Sequence, residues 1–422
     1  MASVGAIEAN GFMRNRWWIV AASLIGMIVG PGTAVIFTVN VFMVPVTTEL
    51  GWTRGFFSSG LLASALLSPI MTPIFGRLMD RYGMQRVSLP ITFIYGIAIS
   101  CFALLTPTSG WALYVLFGCA SGFGACVGPI VYSKAITAWF DKERGFALGI
   151  ATCGVGLGTF LIPSMAQFFI GEFGWRNAYV AVGVTTWFLS FTMVLLFVRE
   201  PPGYIERMRN AHAVAAAGGP QPFGIAASEA IKSTHQFWVL FLIFLLEGTA
   251  CNGILSGNFV PLLMDRGYAP ASAAALLGVS GLAAMLGRIA VGFCLDMLNG
   301  PVFSAITMLL PVLGIALLLG HGTAPAPLFA AICIGLAIGA EVDMLGFFVS
   351  RYFGRRSFGV LYGLIFAAFT CGVGIGPAIL GWGFDRFNKN YDPVLWAYLI
   401  ATLIAALLFL PLGKYRYPKG TE

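Results

Sequence analysis

The sequence predicts an all-α membrane protein, with twelve transmembrane helices in two six-helix, pseudo-symmetric halves and both termini cytoplasmic. Three observations carry this. The 422-residue chain is 58% hydrophobic and only 10% charged, whereas soluble domains carry about 25% charged residues. The apolar residues gather in twelve runs near the length of roughly 20 residues that spans a bilayer. Short phrases also recur half a chain apart, as parallel internal repeats do.

In order, the runs lie at about 17–44, 56–76, 88–105, 111–139, 146–169, 178–198, 237–263, 271–295, 302–319, 326–350, 358–383 and 394–412. The first is too long for a cleaved signal, and no small-residue cleavage site follows it. Residues 199–236 break the apolar rhythm with REPPGY, HAVAAAGGPQP and SEAIKSTHQ. They read as a cytoplasmic linker with a short surface helix near Ser228–Ser233. The linker separates an N-terminal half, 1–198, from a C-terminal half, 237–422.

Orientation follows from basic residues, which favour the cytoplasmic side. With the N-terminus inside, eighteen of the 24 Lys and Arg fall inside and five outside, and Arg288 lies within a span. The net charge of +7 is then topology and contact with anionic lipid, not a nucleic-acid footprint.

The repeats are specific. CGVGLG (153–158) in span 5 returns as CGVGIG (371–376) in span 11, and GFALG (145–149) matches GVLYG (359–363). GRLMDRYG (76–83) follows span 2 as GFCLDMLNG (292–300) follows span 8. A phosphate-loop reading of the glycine phrases fails, because the spacing is GxGxG and no strand precedes it. At 100° per residue, Gly145, Gly149 and Gly156 form one stripe, and Gly154 and Gly158 form another. In span 11, Gly359, Gly363 and Gly374 repeat the first, and Gly372 and Gly376 the second. Such stripes let helix backbones approach closely.

Charge inside a span is costly, about 2.5–3.5 kcal/mol on insertion scales. Five residues bear it: Lys134, Glu247, Arg288, Glu341 and Asp343. Arg288 lies eight residues before Asp296 at the loop, about 12 Å inside at 1.5 Å per residue. It reads as a bidentate holder of a substrate carboxylate, or as half of an ion pair with Glu247 or a span-10 acid. Glu247, near the midplane, reads as a proton carrier or as the permanent partner of Arg288. Glu341 and Asp343 are two apart, about 200° around a helix, so they cannot share one site. They are expected in proton coupling or gating. Lys134 lies close enough to the edge to snorkel, or it is a second anion site. Asn40, Tyr132, Asn252, Asn258 and Tyr362 are the expected polar lining of a substrate cavity, with inter-helix hydrogen bonding as the alternative.

Catalytic and metal chemistry find no pattern. The eight cysteines all lie in apolar runs with no CxxC pair, and read as small packing thiols. The three histidines fall in loops or at their edges, without a nucleophile or metal-ligand spacing. No enzyme activity, cofactor or metal is expected.

The run Gly76-Arg77-Leu78-Met79-Asp80-Arg81-Tyr82-Gly83, ending in Arg86, resembles the loop 2–3 signature of the major facilitator superfamily. Gly174-Trp175-Arg176 followed by Ala178-Tyr179 also recurs there, and the resemblance covers essentially the whole chain. More narrowly, Asn15-Arg16-Trp17-Trp18, Glu49 to Arg54, and FGRRSFGVLYG from Phe353 to Gly363 resemble the monocarboxylate porter branch and its bacterial oxalate/formate-antiporter-like group. That resemblance implies a substrate-handling arginine in span 8, matched by Arg288. The animal porters add an Asp four residues earlier and a Lys in span 1. This chain has Ala284 at the first place and no Lys in span 1, so any proton relay must differ. The oxalate exchangers carry a Lys in span 11, where Phe369 stands. The superfamily resemblance further implies a cytoplasmic gate at Gly76, Asp80, Arg81, Gly83 and Asp296, and a sliding surface between halves at Gly156 and Gly374.

The expected function is secondary active transport of small organic monocarboxylates, proton-coupled, by alternating access. The alternative is an organic anion exchanger, dicarboxylates included. Expected partners are the carboxylate, protons and the lipid bilayer, without nucleic acid, and the working unit is a monomer. The expected location is a bacterial inner membrane. A receptor-like sensor is disfavoured by the short linker and tails.

Overall fold

The computed structural model describes residues 16–140, 143–201, 224–320, 325–354, 356–413 and 415–417. The side chains of Arg144 and Asp296 also lie outside the description. Eleven helical stretches among these residues are long and apolar enough to cross a membrane. They are α1 (Trp17–Leu50), α2 (Arg54–Tyr82), α3 (Met84–Leu104), α4 (Gly110–Trp139), α5 (Gly145–Phe197), α6 (His235–Asp265), α7 (Pro270–Leu295), α8 (Gly300–Leu319), α9 (Ala326–Phe353), α10 (Phe358–Arg386) and α11 (Asp392–Leu412). A short helix, Ala227–Ser233, precedes α6. The rest of the expected linker, 202–223, lies outside the described residues.

The expectation of twelve differs from these eleven at α5. Its 53 residues would run about 80 Å as one rod, far beyond a hydrocarbon core of about 30 Å. Helical geometry breaks at Gly174, with φ 77° and ψ 163°. A side chain there would be strained, so glycine marks the turn and both expected spans lie within α5, one per arm. The motif residues after it pin the turn to the end of α1. Trp175 Nε1 donates to Glu49 Oε2 at 2.5 Å, and Arg176 pairs with the other oxygen of that carboxylate.

The first helix on each side of the linker carries the same irregularity. α1 contains a π-helical turn at Gly32–Phe37 and α6 one at Ile254–Asn258. Such turns shift the hydrogen-bond ladder and free backbone groups. Asn40 of α1 takes up two of those in α6, donating to Leu255 O at 2.8 Å and accepting from Val260 N at 3.2 Å.

The helices before and after the linker are joined firmly at one end, called the Arg54 end below. Arg54 binds Asp265 through both nitrogens, at 2.5 and 3.0 Å, and donates to Tyr391 Oη at 2.6 Å. Gly55 N donates to Asp385 Oδ2 at 2.7 Å. One buried apolar cluster runs through this end from both sides of the linker, including Val39, Phe259, Leu380 and Tyr398. At the opposite, Asp80 end, the ion pairs Arg16–Glu143 and Lys134–Asp80 stay before the linker, and Arg416–Glu229 ties the end of the linker to the C-terminal tail, so none of the three joins one side to the other. A second apolar cluster, centred on Phe348, Phe353 and Phe409, joins helices after the linker to Ile225 and Ala230 at the end of the linker itself, and takes in no residue before it. The protein is therefore closed at the Arg54 end and parted at the Asp80 end.

The glycine stripes follow this division. A Cβ built on Gly156 would lie 2.6 Å from the Gly281 carbonyl oxygen of α7, and one on Gly374 would lie 2.5 Å from Ala65 Cβ of α2. These two glycines face across the boundary. Gly154 and Gly158 abut the Leu24 and Ile28 carbonyls of α1, and Gly372 and Gly376 abut α6, so they pack within one side. Gly145, Gly149, Gly359 and Gly363 meet open space, where the helices have parted.

Candidate functional site

A cavity of about 430 Å³ opens between the first arm of α5, α7 and α9. Its inner end is capped by Phe37 of α1 and Leu255 of α6. The glycines make it possible. Gly156, Gly281, Gly335 and Gly339 line it, and the last two abut the backbone of α7 at Ser280 and Ala284. Small residues hold the helices close behind the cavity while its front stays open.

Arg288 and Asp343 stand on its wall, and Arg288 is the one cation among the described lining residues. Their Nε and Oδ2 atoms are 3.7 Å apart, with side chains 30% and 39% exposed. That is a loose ion pair reached by water, of small net strength, held by residues facing each other from α7 and α9. Ala284 lies one helical turn before Arg288 on the same wall. Cys153 and Thr152 of α5 complete the mouth.

Two residues earlier on α9, Glu341 points the other way. It is fully buried, and Asn252 Nδ2 of α6 lies 3.5 Å from its Oε2. Glu247 is 1% exposed, and the Cys251 thiol donates to its Oε2 at 3.2 Å. Ligand-type atoms of Glu247, Cys251 and Glu341 all lie within 4.8 Å of one another. Each carboxyl keeps one oxygen without a hydrogen-bond partner among the described residues. Glu247 is thus set into the interior behind the cavity, and the partner of Arg288 is Asp343.

The expected polar lining divides differently. Asn40 is fully buried in its clasp on α6, because the π-turn there leaves groups that only a side-chain amide reaches. Tyr132 is fully buried, with its ring against Gly26 of α1. Asn258 donates to the carbonyl of Pro377, inside α10, at 3.0 Å. Tyr362 stacks between Phe358 and Phe366, with ring centroids 5.6 and 5.8 Å away. None of these, nor Asn252, belongs to the cavity wall, whose members besides Arg288, Asp343 and the glycines are mostly apolar side chains.

Lys134, read either as snorkelling at the edge or as a second anion site, is not on the wall of this cavity. Its ammonium donates to Asp80 Oδ1 at 2.6 Å and to Gly76 O at 2.8 Å, tying α4 to the end of α2. Arg81 lies over the Tyr82 ring at 5.1 Å. Gly83, at φ 100°, turns the chain so that Met84 N donates to Glu200. The side chain of Asp296 lies outside the described residues.

Sequence reading also missed the contacts closing the Arg54 end. Arg54 stacks on the Phe384 ring at 4.2 Å besides its ion pair, and Arg266 pairs with Asp392 at 3.6 Å. Burial pushes the Arg266 guanidinium down, against the opposing effect of Asp392. The available signal was that Arg54 and Arg266 belong to the few basic residues on the sparse side of the chain, each just outside an apolar run.

Residues 24–377 match the family model described as Major Facilitator Superfamily. The chain belongs to the major facilitator superfamily. It is a multi-pass integral membrane protein of that non-enzymatic family of transporters. It is similar to monocarboxylate transporter 13 of Bos taurus, 26% identical over 264 residues, which are 61% of this chain and 56% of the relative. The chain thus spans little more than half the length of that relative. It is 24% identical over 373 residues to the uncharacterized MFS-type transporter YhjX of Escherichia coli K12, covering 86% of this chain and 87% of that one. Among solved superfamily structures, the nucleoside transporter NupG superposes with TM-score 0.72 at 14% identity, covering 95% and 99% of the two chains. A bacterial homologue of the human lysosomal transporter Spinster, inward-facing and unoccupied, gives 0.67 at 19% identity, with 96% of each chain covered. These structural likenesses describe the fold.

Proposed function

We propose that this superfamily member carries small organic monocarboxylates together with protons, rocking two six-helix halves about the cavity that contains Arg288. The observation that supports this reading is the Arg288–Asp343 pair. A guanidinium on the wall of a mostly apolar cavity, held only loosely by an internal carboxylate, suits exchange of that carboxylate for one on a substrate. The arriving carboxylate takes the guanidinium through both oxygens, the geometry arginine favours. Asp343, released, accepts a proton, so substrate and proton load together. The acid that monocarboxylate porters carry four residues before this arginine is Ala284 here, and Asp343 brings an equivalent carboxyl from the neighbouring helix. Glu247 and Glu341, buried behind the cavity, relay that proton through the C-terminal half. A proton is the cheapest neutraliser for a buried carboxyl that has no cation beside it.

With Lys134 engaged by Asp80, one cation serves the cavity, which favours monoanions over the dicarboxylate exchange alternative. The parted Asp80 end faces the cytoplasm on the basic-residue count, so the structure is an inward-open state, in a protein of the bacterial inner membrane acting as a monomer.

The test is uptake by proteoliposomes containing wild type, Arg288→Lys and Arg288→Ala, with folded yield followed by size exclusion. Both variants should fold and lose uptake of a monocarboxylate, and normal uptake in both would end the proposal. Acceleration by an inward proton gradient in empty vesicles supports symport, and a strict need for internal anion supports exchange.

A further inference from the structure

Among the described lining residues the cavity carries charge only at Arg288 and Asp343. Arg288 and Asp343 lie toward the Asp80 end, and the walls run inward to Ser280 on α7 and Gly335 on α9. Each is eight residues from its charged partner, so both walls give a depth of about 12 Å at 1.5 Å per residue. Past the ion pair the surface is formed by Met285, Ile338, Val155 and the capping Phe37 and Leu255.

Four side chains on the wall bear a hydroxyl or thiol, and each donates back to its own helix. Ser280 donates to Leu277 O at 2.6 Å, Thr159 to Val155 O at 3.0 Å, Thr152 to Gly149 O at 2.9 Å and Cys153 to Gly149 O at 3.3 Å. Their hydrogens are therefore taken, and among the described residues the inner cavity offers no free side-chain donor to a second carboxylate, which would lose its water there without a replacement.

We propose that the acid carried bears a bulky apolar tail, aryl-alkyl or branched, that fills the inner cavity while its carboxylate holds Arg288. This rests on the carboxylate reading of Arg288 and names the substrate class of that site. A three-carbon acid is about 5 Å long, and 3-phenylpropionate about 9 Å, by ordinary bond lengths. The short acid leaves the inner half empty, and the longer one reaches Phe37 and Leu255. The volume also falls in the roughly 300–1,000 Å³ range of pockets that enclose ligands of that larger size. Burial of each added methylene tightens binding roughly fourfold.

The experiment is binding to purified full-length protein, by thermal shift and by competition, with lactate, succinate, phenylacetate, 3-phenylpropionate and the neutral 3-phenylpropionamide. Expected is 3-phenylpropionate tightest, at least thirtyfold over lactate, with phenylacetate between, and no binding of succinate or the amide. In Ile338→Trp, which fills the inner cavity, the preference for 3-phenylpropionate over lactate should fall at least tenfold, with size exclusion reporting the fold. Lactate binding as tightly as 3-phenylpropionate, with both lost in Arg288→Ala, would overturn the tail and leave the carboxylate reading standing. Amide binding equal to the acid, or binding of none of the acids, would overturn both.

Discussion

Arg54 of α2 and Asp265 of α6 grip each other through two hydrogen bonds across the boundary between the helices before and after the linker. The guanidinium also lies on the Phe384 ring and donates to Tyr391. Few contacts could better hold one end shut while the other is open. Asp265→Asn keeps the shape and removes the charge, so the closed Arg54 end should open more often. Partly exposed pairs contribute up to about 1 kcal/mol, so the expected gain is severalfold in the labelling rate of a single cysteine placed at position 44 or 48, on the wall of the adjoining recess. An unchanged rate would show that the pair does not govern closure.

The two glycine stripes should behave oppositely when filled. Gly156 and Gly374 meet helices across the boundary, whereas Gly154 and Gly376 meet helices on their own side. Overpacking costs about 1–3 kcal/mol. Gly156→Ala or Gly374→Ala should slow transport tenfold or more at near-normal folded yield, because the strain falls on a surface that must move. Gly154→Ala or Gly376→Ala should instead lower melting temperature and yield. Equal loss of both quantities in all four would make the stripes static packing.

Asp343→Asn separates binding from coupling. Without the internal carboxylate, Arg288 is free, and a monocarboxylate should bind up to about fivefold tighter, the worth of a half-exposed ion pair. Accumulation driven by a proton gradient should disappear, while exchange of labelled for unlabelled substrate continues. Retained accumulation would assign the proton elsewhere.

Glu247→Gln tests the deeper acid. Glutamine preserves the shape and accepts the Cys251 thiol hydrogen as the carboxyl does, but it cannot carry a proton in and out. Folded yield should hold, gradient-driven uptake should fall at least tenfold, and exchange should survive. Wild-type response to the gradient would leave Glu247 a structural residue.

Much of this molecule was legible from runs and repeats. Hydrophobic length alone placed ten of the helices individually, and the turn at Gly174 explains why the fifth and sixth merge into α5. The echo of CGVGLG in CGVGIG placed two helices that each meet the other side of the chain. Arg288 stood out because charge is rare inside a span. The cavity lining was less legible, for a physical reason. Sequence reading nominated polar residues, but Asn40 serves backbone groups at the π-turn of α6, Asn258 serves the Pro377 carbonyl of α10, and Tyr132 packs on a glycine. Which face of a helix looks into a cavity depends on how helices close around it, and residues such as Ala284 and Met285 carry no chemical mark of that. The choice of Asp343 over Glu247 as the partner of Arg288 was open for the same reason, since both are acids within reach of the same depth.

The loose pairing of Arg288 with Asp343 has an electrical consequence on the proposed cycle. When the empty protein turns over, its guanidinium and carboxylate travel as a neutral pair. When it turns over loaded, a monoanion replaces the carboxylate and one proton sits on Asp343, and the total is again zero. Moving one charge through 100 mV is worth about 2.3 kcal/mol, and this cycle neither gains nor loses it. Such a transporter would respond to the pH difference across its membrane and be indifferent to the voltage.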